Sequence, residues 1–192
     1  MSNAIELIPL GGLGEFGSNC LAVRYGEDML LLDVGMGFPE ESAYGVDVCI
    51  PDFDFLEEYR DEIRAVVLTH GHEDHIGAVP YVLKKFNVPV YASRFTMGLV
   101  EHKLDEHDLL GDVVLHRVEP RDKVEIGDFE VEFIRVSHSL VDCFALAIKT
   151  PVGTVIHTGD YKVDETPVIG EPISGTHRRC SMRRWRMAVE ML

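Results

Sequence analysis

Thr69-His70-Gly71-His72-Glu73-Asp74-His75 places three histidines and an aspartate among six consecutive residues, directly after the apolar run Ala65-Val66-Val67-Leu68. Imidazole nitrogen and carboxylate oxygen are the donors that suit zinc and related divalent ions. His70 and His72 stand two apart in an extended turn, so both rings can converge on one ion. Asp74 and His75 open the next predicted helix and can face a second ion. The plain alternative is a solvated polar loop, and such tight clustering of ligand-grade residues argues against it. A two-ion site also needs a remote ligand and a bridging carboxylate. His138 ends one predicted strand and Asp160 follows another. Alone, each has a bland reading, as a structural histidine and a Gly-Asp turn. With the cluster they complete a set.

The elements that must carry these residues follow from hydrophobic period and turn chemistry. Strands are predicted at Ile5–Ile8, Asn19–Tyr25, Met29–Asp33, Ala65–Leu68 and Val88–Tyr91. Helical spacing runs from Phe53 to Ile63 and from Ile76 to Phe86, the latter with Pro80 in its first turns, where proline is tolerated. Ser93 is placed to cap a third helix. From Val113 the pattern turns β-rich: Val113–Val118, Lys123–Ile126, Phe129–Val136, Cys143–Lys149 and Thr154–His157 read as strands. Two packed sheets with helices outside satisfy this order.

Gly12-x-Gly14-x-x-Gly17, with Asp33 downstream, matches a dinucleotide-binding fingerprint. That motif needs a helix after its glycines. Asn19–Tyr25 alternates as a strand does, so the glycines are read as a tight turn near the metals. The other histidines take bland readings. His102 and His107 do not share a helix face well, and His116 lies in a strand. For His157, a core position and a supporting role beside Asp160 weigh equally.

The 192 residues amount to about one domain. With 46% hydrophobic and 27% charged residues, a core is expected and disorder is not. No apolar run is long enough to span a membrane, and the first four residues are too short and polar for a signal peptide. The four cysteines form no Cys-x-x-Cys pair, which fits free thiols in a reducing cytosol. Net charge is −15. An acidic body weakens a nucleic-acid substrate without excluding it, and bound cations would offset part of the acid load.

The pattern His-x-His-x-Asp-His, then His138, then Asp160 resembles the metallo-β-lactamase superfamily. Within it the chain most resembles the ribonuclease J family. Matching stretches are Pro9 to Glu15, Gly45-Val46-Asp47 with Ile50 to Phe53, Leu68 to Tyr81, and His157 to Lys162 with Thr166-Pro167. The resemblance covers roughly residues 4–172. It implies an α+β fold, a four-layer αββα sandwich, here incomplete. It puts His70, His72 and His138 on one ion and Asp74 and His75 on a second, with Asp160 bridging. Asp74 and Asp160 become the catalytic carboxylates, and Asp33 orients the ligands. The implied cofactor is a pair of divalent ions, zinc or alternatively manganese. The implied reaction is phosphodiester hydrolysis of RNA, in exo- and endonucleolytic modes, in the cytoplasm.

The family continues into an inserted domain and a returning half-domain. These supply a further histidine for the second ion and most RNA contacts. Residues 1–172 therefore read as the N-terminal portion of the domain, a truncated form expected to have impaired or no activity until completed by further regions or a homo-oligomer. Residues 173–192 change in kind, with five arginines and one glutamate. They are expected to be sequence foreign to the family, and a basic tail can bind an anionic partner. Two other functions stay open: a hydrolase of a small ester or thioester, and a metal-binding module without catalysis.

Overall fold

The computed structural model describes residues 4–39 and 44–168. Residues 173–192, and any boundary near residue 172, lie outside this range. Two sheets face each other. The larger has six strands in chain order: β1 (Glu6–Gly11), β2 (Cys20–Tyr25), β3 (Asp28–Leu32), β4 (Ile63–Val67), β5 (Val90–Ala92) and β6 (Leu115–Arg117). β1, β2 and β3 are antiparallel, whereas β3 through β6 run parallel. The smaller sheet is antiparallel, in the order β10-β9-β8-β7. It consists of β7 (Lys123–Ile126), β8 (Phe129–Val136), β9 (Cys143–Thr150) and β10 (Gly153–His157). The helices are α1 (Glu73–Ile76), α2 (Val79–Lys85) and α3 (Arg94–Glu106).

The two cores explain the strand sequences. β3 and β4 are covered on both faces and are apolar at nearly every position, as buried parallel strands must be. Met29, Leu31 and Val66 face a cluster containing Ile76, Val79, Leu83, Met97 and Val100 of the helices. Leu30, Leu32, Ala65 and Val67 face the second sheet, meeting Phe129, Val131, Phe133, Phe144, Leu146 and Ile148. β8 has one covered face only, so it alternates: Phe129, Val131 and Phe133 are buried, while Glu130 and Glu132 are half-exposed. This is the α+β sandwich expected, and the described residues supply three of its four layers.

Two elements differ from expectation. The helix predicted over Ile76–Phe86 is broken at Gly77-Ala78. The Ala78 amide bonds the Val34 carbonyl at 2.9 Å instead of continuing the helical ladder, and Pro80 sits in the first turn of α2. The segment Phe53–Ile63 forms only a 3-10 turn over Asp54–Tyr59. Its apolar positions Phe53 and Leu56 are three apart, a spacing that the tighter helix also satisfies. Ser93 does cap α3, its Oγ accepting from the Thr96 amide at 3.3 Å.

Candidate metal centre

The sequence-predicted residues meet at one rim of the sandwich, where β3 and β4 end and the loops after β8 and β10 arrive. β4 feeds Thr69–His72 directly into the rim, and α1 then carries Asp74 and His75. This crossing is close. A Cβ on Gly35 would lie 1.6 Å from the Asp74 carbonyl oxygen and 2.8 Å from the His75 nitrogen, so only glycine fits there. The chain after β3 is stitched to α1 by backbone bonds from Val34 to His75 (2.7 Å) and from Met36 to Glu73 (3.0 Å).

The ligand atoms of His70, His72, His138 and Asp160 all lie within 4.8 Å of one another. His70 Nε2 is 2.9 Å from His72 Nδ1, and His138 Nε2 is 3.2 Å from the same atom. Three imidazoles thus turn ring nitrogens toward one point. A tetrahedral ion about 2.0–2.1 Å from each nitrogen would hold them roughly 3.3 Å apart. The donor set and its spacing fit a divalent cation.

The far sides of two of the rings, His70 and His72, are held by polar neighbours. Thr69 Oγ1 lies 2.8 Å from Asp33 Oδ2 and donates to it, which leaves its lone pairs for His70 Nδ1–H at 3.0 Å. That tautomer frees His70 Nε2 for a cation. Ser139 Oγ lies 3.1 Å from His72 Nε2, consistent with Nδ1 as the inward-facing atom.

Asp74 and His75 form a second group. His75 Nε2 is 3.8 Å from Asp74 Oδ2 and 3.7 Å from Asp160 Oδ1. The other oxygen of Asp160, Oδ2, is 3.7 Å from His138 Nε2. Asp160 therefore straddles the two groups, one oxygen toward each. Gly159, at φ +53°, aims it: a Cβ there would press on Thr69 Cβ at 2.9 Å and the Phe144 carbonyl at 3.0 Å.

Asp33 lies beneath both groups. It is buried, follows β3, and adopts φ 55°, a left-handed conformation that costs a non-glycine residue about 1 kcal/mol or more. Its carboxylate accepts from the Thr69 amide and hydroxyl, both at 2.8 Å, and from His75 Nδ1 at 2.7 Å. Burial works to raise its pKa, but His157 and His75 beside it hold the group well below the usual carboxylate range. His75 is the mirror case: burial works to lower its pKa, and the bond to Asp33 with the charges of Asp33, Asp74 and Asp160 raises it. Burial, helped by neighbouring His75, pushes His70 down to about 3. Burial also lowers His138, against the opposing pull of Asp160. His70 is thereby kept as a neutral, lone-pair-bearing donor at physiological pH.

Three contacting residues were not singled out by sequence reasoning: Asn19, Thr69 and Ser139. Asn19 and Asp74 are 55 positions apart and Ser139 and His72 are 67 apart, so no local pattern links them. His157, the residue with two equal readings, points Nε2 at Asp33 Oδ2 from 3.7 Å. That is too long for a hydrogen bond, and the atom is buried without a partner among the described residues. The Gly12–Gly17 segment is a turn followed by strand β2, with positive φ at Gly12, Gly14 and Gly17. No helix follows it, and a cleft beside it is lined by Gly12, Asn19, His75, His157 and Asp160.

A model of the metallo-β-lactamase superfamily matches residues 13–191, and the chain belongs to that superfamily. Its curated relatives narrow the resemblance to the ribonuclease J branch. It is 46% identical over 172 residues to ribonuclease J of Synechocystis sp., a span of 88% of this chain and 27% of that protein. It is 45% identical over 174 residues to ribonuclease J of Thermus thermophilus, covering 87% of this chain and 30% of the relative. The chain thus spans less than a third of the length of these curated relatives. Among solved structures it resembles a protein of unknown function from Enterococcus faecalis V583, with 20% identity and TM-score 0.64 over 82% of this chain and 43% of that one. It also resembles the metallo-β-lactamase fold protein YhfI from Bacillus subtilis, with 18% identity and TM-score 0.57 over 81% and 62%. At these identities the structural likeness speaks to the fold alone. No helix among the described residues is long and apolar enough to cross a membrane.

Proposed function

We propose that the chain carries the metal-binding half-site of a ribonuclease J-like phosphodiester hydrolase acting on RNA. His70, His72 and His138 hold one divalent ion, zinc or manganese. Asp74 and His75 hold a second, and Asp160 lies between them. The observation that carries this reading is the split of Asp160, whose Oδ1 faces His75 and whose Oδ2 faces His138, each at 3.7 Å. A carboxylate with one oxygen toward each of two donor groups is what a two-cation centre needs.

When bound, such cations supply Lewis acidity toward a phosphoryl oxygen and toward water. The chain's own residues do the rest. The low pKa of His70 keeps its lone pair available at neutral pH without competition from protons, and burial lowers His138 in the same direction. Asp33 fixes the His75 tautomer, because its carboxylate accepts the Nδ1–H bond and leaves Nε2 as the unprotonated nitrogen. Through Thr69 it fixes His70 as well. Asp160, half-exposed at 49% of its side chain, reaches the open face where a substrate phosphate would arrive. Asp74 is more sheltered, at 20%, and is placed to hold rather than to meet substrate.

The relatives named ribonuclease J support RNA over a small ester as the substrate. The test is a panel on the chelated and metal-reconstituted chain, with the Thermus relative as positive control. A single-stranded RNA, a chromogenic phosphodiester and a thioester are assayed together. Metal-restored cleavage of RNA that leaves a 5′-phosphate, lost in Asp160→Ala, is expected when the chain is assayed within a version that spans the full length of its relatives. Thioester hydrolysis without phosphodiester cleavage would instead favour the small-ester reading.

A further inference from the structure

The glycine-rich turn between β1 and β2 is not used by the mechanism above, although it borders the second donor group. Its end product is Asn19. The Asn19 side-chain nitrogen lies 3.1 Å from the Asp74 carbonyl oxygen, 3.3 Å from Asp74 Oδ2 and 3.1 Å from His75 Nε2. Its amide nitrogen bonds the same Asp74 carbonyl at 3.0 Å, and its carbonyl accepts from the Gly35 amide at 2.9 Å. One residue thus touches both members of the Asp74–His75 pair and the glycine over which they cross.

The turn is shaped around this side chain. A Cβ on Gly12 would lie 2.6 Å from Asn19 Oδ1 and 2.9 Å from its Cα, and one on Gly11 would lie 2.3 Å from the Ser18 carbonyl oxygen. Gly12 also adopts φ +78°, and Ser18, just before Asn19, adopts φ 55°. The backbone folds back on itself in conformations that glycine tolerates and other residues resist. The hydrogen-bond pattern also fits an amide better than other side chains. One N–H can go to the Asp74 carbonyl and the other to the Asp74 carboxylate, which leaves the neighbouring His75 Nε2 lone pair to a cation, and Oδ1 turns back toward Gly12.

We infer that Asn19 is a positioning residue for the second cation: its amide pins the Asp74 carboxylate against His75 Nε2, and the glycine turn exists to seat it. This inference rests on the two-ion reading. Asn19 acts on the Asp74–His75 half alone, since among the described residues its side-chain nitrogen contacts only those two.

The distinguishing measurement is a stepwise zinc titration against a competing chromophoric chelator, giving separate Kd values for the first and second ions. Asn19→Ala and Asn19→Leu should weaken the second ion about 10- to 100-fold, the usual cost of removing a partner that orients a ligand, with the first Kd unchanged. Asn19→Ser, which retains a donor, should recover part of the loss. Gly12→Ala should reproduce the defect with Asn19 intact, because its Cβ displaces the side chain. An unchanged first Kd certifies the fold of each variant. If a substitution at Asn19 shifts both Kd values together, Asn19 serves the fold in general and the inference is wrong. If the wild-type chain binds two ions and the Asn19 variants bind both equally well, the inference fails while the two-ion reading stands. If the wild-type chain takes up fewer than two ions, both fail.

Discussion

Asp33 and His75 form a buried pair: Oδ2 of the one is 2.7 Å from Nδ1 of the other, with 1% and 3% of their side chains exposed. A charged acceptor in such a place is stable only because it is fully bonded, and it ties the strained end of β3 to the first turn of α1. Asp33→Asn keeps the shape but loses the charge and replaces an acceptor with a donor facing His75. We expect a stability loss of about 1–3 kcal/mol and metal affinity weaker by about 10- to 100-fold. Thermal denaturation with and without chelator reads the first effect, and zinc titration the second.

The two donor groups should be separable. Asp74→Ala or His75→Ala is expected to abolish turnover in the full-length protein while leaving one ion bound to His70, His72 and His138. His138→Ala should weaken that ion instead. Metal content after gel filtration, with activity measured alongside, distinguishes these outcomes. Normal turnover in Asp74→Ala would refute the assignment.

Gly35→Ala tests the close crossing on which the rim depends. Its Cβ meets backbone rather than a movable side chain, so the cost should exceed the usual 1–3 kcal/mol or so of overpacking. Chemical denaturation is the measurement. An alanine variant with wild-type stability would mean that Gly35 and Asp74 do not pass at this distance.

The buried cysteines give a pH prediction. Burial pushes the Cys143 thiol up to about 11, with the nearby Asp142 and Asp160 charges adding to it and a backbone hydrogen bond at Leu140 opposing it. Burial raises Cys20 further. Because the folded pKa is raised, this contribution to stability is complete below the unfolded thiol pKa of about 8.5. It is lost as pH rises from there through the folded value. Cys143→Ala should flatten the alkaline limb of the stability profile between about pH 8.5 and 11. In native-state alkylation near pH 8, half-buried Cys49 should label before buried Cys20 and Cys143, as read by peptide mass spectrometry.

Much of the fold was legible because periodicity reports burial. β7 and β8 fall on the predicted residues, Lys123–Ile126 and Phe129–Val136, where one face is covered and the alternation is clean. The helix after His75 was legible in kind but not in continuity. Its break at Gly77-Ala78 depends on a bond from Ala78 to Val34 that only the folded sheet offers. The donor residues were legible because imidazoles and carboxylates at the ends of apolar strands have few structural reasons to cluster. The side chains that orient them were not. Asn19 and Ser139 are ordinary polar residues whose partners are set by tertiary contact, and His157 becomes distinctive only once its buried Nε2 is seen aimed at Asp33.

The central claim is that His70, His72, Asp74, His75, His138 and Asp160 grip two cations at one rim of the sandwich. Anomalous diffraction at the zinc edge, from crystals of the reconstituted chain, tests it most directly. Two peaks about 3.5–4 Å apart, with the Asp160 carboxylate between them and His70, His72 and His138 around one, are predicted. A single peak outside this group, or none within it at saturating zinc, would contradict the account.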